Sequence, residues 1–345
     1  MEESIFAKLP QALLPWYEEN KRLLPWRENR QPYRVWLSEI MLQQTRVEAV
    51  KGYFQRFLEA LPTVADLASC PDDKLHKLWE GLGYYSRVRN LKKAAAVIME
   101  AHGGVFPDQY EQVRALPGIG DYTAGAICSI CYDLPVPAVD GNVLRIVTRL
   151  TDDKTPVDLP AYKKQVTLQL AGIYPASAGA FTQALMELGA TVCGPNKKPD
   201  CPNCPCKDFC LGYAHGTAQS LPVRLPKKEK RLEEKTVFIL SCGDKYALLR
   251  RQNHGLLAGM WQFPDVPGKL NTQQALSEVE KIGLIPVQIY KEVEREHIFT
   301  HIIWQMRGVY VEVKETAGEL TWLTEEQVTA EAALPTAYRL FWEIR

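Results

Sequence analysis

Residues 116–123 read Leu116-Pro117-Gly118-Ile119-Gly120-Asp121-Tyr122-Thr123, and an Ala- and Gly-rich stretch with helical character follows. Gly118 and Gly120 allow the backbone to turn sharply and to approach another molecule closely. The next helix begins there with free N–H groups, and such a start can hold a phosphate without net positive charge. A plain tight turn between two helices would use the same residues, so the surrounding sequence has to decide.

Twenty residues after Gly120 comes Val139-Asp140-Gly141-Asn142-Val143. A carboxylate beside Gly and Asn commonly caps a helix, and it is also a candidate for chemistry. A second carboxylate, Glu39, lies upstream in Trp36-Leu37-Ser38-Glu39-Ile40-Met41-Leu42-Gln43-Gln44-Thr45. Its apolar neighbours predict a partly buried face, where a carboxyl pKa rises; a solvated helical Glu is the simpler alternative. Downstream, Cys193, Cys201, Cys204 and Cys210 follow the spacing C-x7-C-x2-C-x5-C. Four thiolates in one short loop suit either a tetrahedral zinc or a [4Fe–4S] cluster, and the spacing alone leaves both open. Cys206 falls inside the last interval as an alternative fourth ligand. Lys197 and Lys198 in the first interval could present charge to a phosphate.

The chain has 345 residues and nine cysteines, five of them between 193 and 210. That crowding reads as metal ligation in a reducing compartment, because disulfide frameworks spread their cysteines across a fold. Lys plus Arg and Asp plus Glu number 41 each, so nucleic-acid binding would need local basic patches; Arg87, Arg89, Lys92 and Lys93 form one candidate. No apolar run is long enough for a membrane span, and Glu2, Glu3, Pro10 and Pro15 are unlike a signal peptide, so a cytoplasmic location is expected.

Apolar residues recur at helical spacing through the first part of the chain, as at Val47, Val50, Phe54, Phe57, Leu58 and Leu61, and again at Leu91, Ala94, Ala95 and Ile98. Strand-like alternation is hard to find before about residue 220. Residues 217–235, with Pro222, Pro226 and the charged run from Lys227, read as an exposed linker. Beyond it, Thr236–Ser241, Tyr246–Leu249 and Ile302–Val313 read as strands and Gln273–Ile282 as a helix. The expected organisation is therefore multidomain: an all-α region over 1–216 with the cysteine loop at 193–210, a linker over 217–235, and a small α+β domain over 236–345.

In this order, Leu24-Pro25-Trp26-Arg27, the Ser38–Thr45 string, Gly81-Leu82-Gly83-Tyr84-Tyr85-Ser86-Arg87, the hairpin, Val139-Asp140-Gly141-Asn142 and the cysteine loop resemble the helix–hairpin–helix DNA glycosylases, specifically the MutY-type adenine glycosylases. The likeness covers nearly the whole chain. It implies a six-helix module and a cluster-bearing module with the active site between them, and it favours one [4Fe–4S] cluster over zinc. It also implies a base-excision repair enzyme acting, as a monomer on nucleoid DNA, on double-stranded DNA with 8-oxoguanine:adenine or guanine:adenine mispairs.

The chemistry the resemblance implies agrees with paired carboxylates. Adenine leaves poorly as an anion, so one acid must protonate it while an ionised carboxylate steadies an oxocarbenium-like sugar. Glu39 matches the acid that protonates N7, Asp140 the stabilising carboxylate, and Tyr122 and Asn142 residues that orient them. Endonuclease III-like relatives carry a Lys where Tyr122 stands; a phenol forms no Schiff base, so a monofunctional enzyme is implied. Gln44 and Tyr84 match residues that wedge into the base stack, and Arg22, Leu24, Trp26 and Gln183 match the adenine pocket. Arg27, Arg87, Gly118 and Gly120 join them as expected DNA contacts. The C-terminal domain resembles a Nudix fold, but Ser277–Leu284 lacks the Arg-Glu pair that a Mg²⁺-dependent hydrolase requires. Phe299-Thr300-His301 matches the Phe-Ser-His loop that recognises 8-oxoguanine, with Thr adding a methyl group. The first cysteine interval is one residue longer than the family's usual pattern. An endonuclease III-like glycosylase and lyase, a non-catalytic lesion binder and a nucleotide hydrolase are the competing readings.

Overall fold

A computed structural model of the chain describes residues 4–195, 198–226 and 229–345. Lys197 and the start of the charged run, Lys227 and Lys228, lie outside the described residues, as do Glu2 and Glu3. The chain divides into two compact units, Met1–Ser69 with Arg89–Pro226, and Cys70–Val88 with Lys227–Arg345. No described helix is long and apolar enough to cross a membrane.

The first unit is helical. It contains α1 (Leu9–Asn20), α2 (Pro32–Leu42), α3 (Val47–Ala60) and α4 (Val64–Ser69). After α5 (Asp72–Leu78), which belongs to the other unit, come α6 (Ser86–Ala101), whose first residues through Val88 fall in that other unit, α7 (Tyr110–Ala115) and α8 (Asp121–Tyr132). Then follow α9 (Gly141–Thr151), α10 (Pro160–Ala171), α11 (Ala178–Thr191) and the short α12 (Leu211–Ala214). α11 packs on α1, α8 and α9, while α2 packs on α8. The apolar stripe Val143, Ile146, Val147 and Leu150 of α9 meets Leu9 and Leu13 of α1 and Phe181, Leu185 and Leu188 of α11 in one buried core. Burying each such side chain contributes roughly 1.5–3 kcal/mol.

The hairpin joins α7 to α8. Gly118 has φ +77°, and a Cβ there would fall 2.5 Å from that of Asn90, so both conformation and space require glycine. Gly120 differs: its φ of −96° is ordinary, and its missing side chain simply leaves the α8 N-terminus open.

The second unit is built on a sheet of order β3-β2-β1-β6-β5, with β4 beside β1 and β7 beside β2. The strands are β1 (Arg231–Cys242), β2 (Lys245–Arg250), β3 (Trp261–Gln262), β4 (Asp265–Pro267), β5 (Pro286–Ile298), β6 (Ile302–Val313) and β7 (Thr321–Thr324). Its other helices are α13 (Thr272–Lys281), α14 (Glu325–Glu331) and α15 (Thr336–Trp342). β1 and β6 run parallel, and both faces of β1 are covered. Val237 and Ile239 meet Ala337 and Phe341 of α15, whereas Phe238 and Leu240 meet Ala275 and Val279 of α13. Burial on both faces explains why this strand reads as a continuous apolar run.

Three boundaries differ from the sequence reading. β1 begins at Arg231, inside the expected linker, because Arg231–Ser241 pair with Ile302–Glu312. β5 has no counterpart in that reading: Glu292, Glu294 and Glu296 face solvent, and the half-buried side mixes Ile289 and Val293 with Lys291 and Arg295, so it resembles an exposed run until β6 pairs with it. Cys70–Val88, expected within the helical region, packs in the second unit instead, where α14 lies on α5. There Asp73 pairs with Arg250, and the Leu334 N–H donates to Glu80 Oε1 at 3.0 Å.

Candidate active site

Glu39 projects from α2 and is only 6% exposed. Tyr122, in the first turn of α8, donates its hydroxyl to Glu39 Oε2 at 2.7 Å. Burial pushes the Glu39 carboxyl from its ordinary 4.5 up to about 7. The Tyr122 bond and the Arg27 charge pull it down, while the nearby Asp140 charge adds to the rise. Tyr122 is itself driven well above the usual phenol range by burial and by the two carboxylates, so it remains a neutral donor.

Asp140 is the N-cap of α9. Its Oδ1 accepts from the backbone N–H groups of Asn142 and Val143 at 2.8 and 2.9 Å, and its Oδ2 accepts from the Asn142 amide at 2.6 Å. Asn142 is fixed in turn by Arg145, whose Nη2 donates to its Oδ1 at 2.9 Å. The cap and the chemical candidate are therefore one residue, held in place by three hydrogen bonds at the start of α9. Gly125 brings α8 against the segment leading to Asp140, since a Cβ there would fall 2.3 Å from the Pro137 carbonyl oxygen. One unit thus holds two unlike carboxyls close together, one desolvated and one bonded.

Arg22, Leu24, Arg27 and Gln183 line an open pocket with Tyr17 and Leu23. Tyr17 donates to Gln183 Oε1 at 3.2 Å. Trp26 does not line it; its ring lies edge-on against Phe54, 5.5 Å between centroids, within the core. Glu187, which no motif singled out, lies one turn beyond Gln183 on α11 and is fully buried beneath Arg22 and Arg27.

Gln44 is exposed at the end of α2 with φ +59°, and Tyr84 is 47% exposed with φ +46°. Bulky residues seldom adopt this left-handed backbone, and such strain collects at functional sites. Within the second unit, Tyr84 Oη and Thr300 Oγ1 are 2.9 Å apart. Arg87 is buried rather than presented to a ligand: its Nη2 donates to the carbonyls of Leu82 and Gly83 at 3.0 and 3.1 Å, supporting the Tyr84 loop. Phe299-Thr300-His301 is the tip of the β5–β6 hairpin, closed by the Phe299 N–H to Ile302 carbonyl bond of 2.8 Å. Phe299 anchors it on Trp304 at 4.8 Å, leaving Thr300 and His301 exposed.

Cys193, Cys201, Cys204, Cys206 and Cys210 all line one cavity, with Arg149, Ile146 and Leu188. Arg149 Nη1 donates to Cys193 Sγ at 3.2 Å; burial raises the Cys193 thiol above its ordinary value, and this bond offsets part of the rise. Among the described residues no three metal-ligating side chains converge on a single ion. The donor set of clustered thiols could hold a metal group.

Residues 37–165 match the family model of HhH-GPD superfamily base excision DNA repair proteins, and 236–343 match the NUDIX domain. The chain is 34% identical over 394 residues to the adenine DNA glycosylase of Rattus norvegicus, covering 96% of this chain and 73% of that one. The adenine DNA glycosylase of Homo sapiens is 33% identical over 95% of this chain and 72% of its own. Among solved structures, a thermostable thymine-DNA glycosylase aligns with a TM-score of 0.56 and 25% identity, over 61% of this chain and 97% of that one. An endonuclease III–DNA covalent intermediate aligns with a TM-score of 0.52 at 22% identity, over 60% and 95% of the two chains, a likeness of fold. Fold and sequence together make this a helix–hairpin–helix base-excision repair enzyme with a Nudix-like C-terminal domain. Within that class the chain belongs to the adenine DNA glycosylases.

Proposed function

We propose that this glycosylase removes adenine mispaired with 8-oxoguanine or guanine by hydrolysis alone, without nicking the strand. The observation that carries the reading is the pairing of a buried, bonded Glu39, raised to about 7, with a capped Asp140. Glu39 gives its proton to adenine N7 as the N-glycosidic bond breaks, and the bonding electrons leave with the base. Asp140 stabilises the resulting sugar cation. Water then adds to the anomeric carbon and loses a proton, leaving an abasic site and neutral adenine. Tyr122 orients Glu39 and, as a phenol, provides no amine for a Schiff base. Arg22, Leu24, Arg27 and Gln183 receive the flipped base, whose extrusion is easiest at a mispair. Gln44 and Tyr84 enter the stack beside the partner lesion, and Phe299, Thr300 and His301 read it.

Cys193, Cys201, Cys204 and Cys210 would hold one [4Fe–4S] cluster, which when bound ties the 193–210 loop together; Cys206, fully buried, lines the same cavity. Lesion reading is assigned to residues 236–345 and chemistry to 1–216. The test uses duplexes carrying adenine opposite each normal base and opposite 8-oxoguanine, with scission scored before and after alkali. Alkali-dependent breaks confined to 8-oxoguanine:adenine and guanine:adenine support the proposal. Efficient breaks without alkali contradict it.

A further inference from the structure

Among the described residues the buried acids are Glu39 and Glu187, and Glu187 is the more completely enclosed at 0% exposure. Its Oε1 accepts from the Arg22 backbone N–H at 3.2 Å and from Arg22 Nε at 2.6 Å. Its Oε2 accepts from Arg22 Nη2 at 3.1 Å and Arg27 Nη2 at 2.8 Å. Arg27 also donates from Nη1 to the Arg22 carbonyl at 3.3 Å, and its guanidinium lies 5.7 Å from the centre of the Tyr17 ring. One buried carboxylate thus pins two of the cations that line the base pocket and offsets one of their two charges. Burial alone would raise the Glu187 carboxyl; the bonds from Arg22 and the charge of Arg27 outweigh it and hold the group below its ordinary value. The charge of Arg27 is felt at Glu39 and works against the protonated acid.

We infer that Glu187 is a positioning residue for the reaction: by fixing and partly neutralising Arg22 and Arg27, it limits the positive charge that Glu39 senses and keeps that acid protonated. The inference rests on Glu39 being the proton donor. The groups acting on Glu39 are Tyr122, Asp140 and Arg27, with the Cys131 thiol close enough to feel its charge. Those acting on Glu187 are Arg22 and Arg27, with the Tyr17 phenol beside them.

The experiment is the single-turnover rate of adenine excision across the pH range for the full chain and for Glu187→Gln and Arg27→Gln, with Glu39→Gln as reference. Excision requires protonated Glu39, so the rate falls on the basic side. In Glu187→Gln that fall moves to lower pH by about half a unit or more, a roughly threefold greater loss at alkaline than at acidic pH. In Arg27→Gln it moves to higher pH. Opposite displacements support the inference; a uniform loss of rate with the profile unmoved in both overturns it and leaves Glu39 in its role. If Glu187→Gln does not fold, Arg27→Gln decides alone, and an unmoved profile is a refutation. Near-normal excision by Glu39→Gln would sink the acid assignment itself, a distinguishable failure.

Discussion

The carboxyls to which the proposed function gives the chemistry and the hairpin tip to which it gives recognition sit in opposite environments. In the proposed function Glu39 holds a proton near neutrality; the helical unit removes it from water, with Tyr122, Asp140 and Arg27 acting on it. In the proposed function Thr300 and His301 meet a base outside the protein; the sheet leaves them exposed and secures the loop behind them through Phe299 and Trp304. Chemistry is built from desolvation, recognition from access. The first kind of site should therefore fail abruptly on substitution and respond to pH; the second should fail gradually.

The largest expected effect is at Glu39. Glu39→Gln keeps the shape and the bond from Tyr122 but cannot donate a proton, so excision should fall by at least about a thousandfold while mismatch binding persists, as single-turnover and gel-shift assays would show. Asp140→Asn should come next. Asn is also a good N-cap, so the fold survives; loss of the charge opposite the sugar cation should cost about a hundredfold or more in the chemical step.

Buried chemistry also carries a stability cost with a definite sign. The folded-state pKa of Glu39 is raised from 4.5 to about 7, so the native protein binds the extra proton and its stability falls as pH rises through that window. Above about pH 7, Glu39→Gln should be the more stable protein by on the order of 2–3 kcal/mol, and by progressively less toward pH 4.5. Denaturant melts at the two ends of the window check this; equal stability at both would contradict the burial argument.

The exposed site should behave more gently. Thr300→Ala with His301→Ala should lower the preference for 8-oxoguanine:adenine over guanine:adenine by about tenfold to thirtyfold while sparing the chemical step, at roughly 1 kcal/mol per lost hydrogen bond. Thr300 also meets Tyr84, so Tyr84→Phe should reproduce a smaller part of that loss. The mildest expected change is Cys206→Ser. If Cys210 is the fourth ligand, iron analysis of the anaerobically purified variant should still find four irons per chain, as against loss in the Cys193, Cys201 or Cys204 serine variants.

The two sites were unequally legible in the sequence. The hairpin, Asp140 and the cysteine loop announce themselves because their physical requirements are local: a positive φ at Gly118, a cap beside Gly141 and Asn142, thiols close in the chain. Glu187 carries no such mark, since its role exists only once α11 meets the Arg22–Arg27 segment; Arg22 and Arg27 before it in the chain were the available hint of a missing counter-ion. β5 was hidden by its charged solvent face. The packing of Cys70–Val88 in the second unit depends on contacts such as Asp73 with Arg250, which join residues far apart in sequence. Trp26 shows the converse: a motif residue whose ring is absorbed by the core against Phe54.

The central claim is that a large fraction of Glu39, about half, still carries its proton at neutral pH, and titration of its carboxyl tests it most directly. Carboxyl-carbon NMR of the isotope-labelled protein, with Glu39→Gln to assign the signal, gives the midpoint. The account predicts a midpoint close to 7. A midpoint near the ordinary 4.5 would mean that burial leaves the group ionised, and the acid would have to be sought elsewhere.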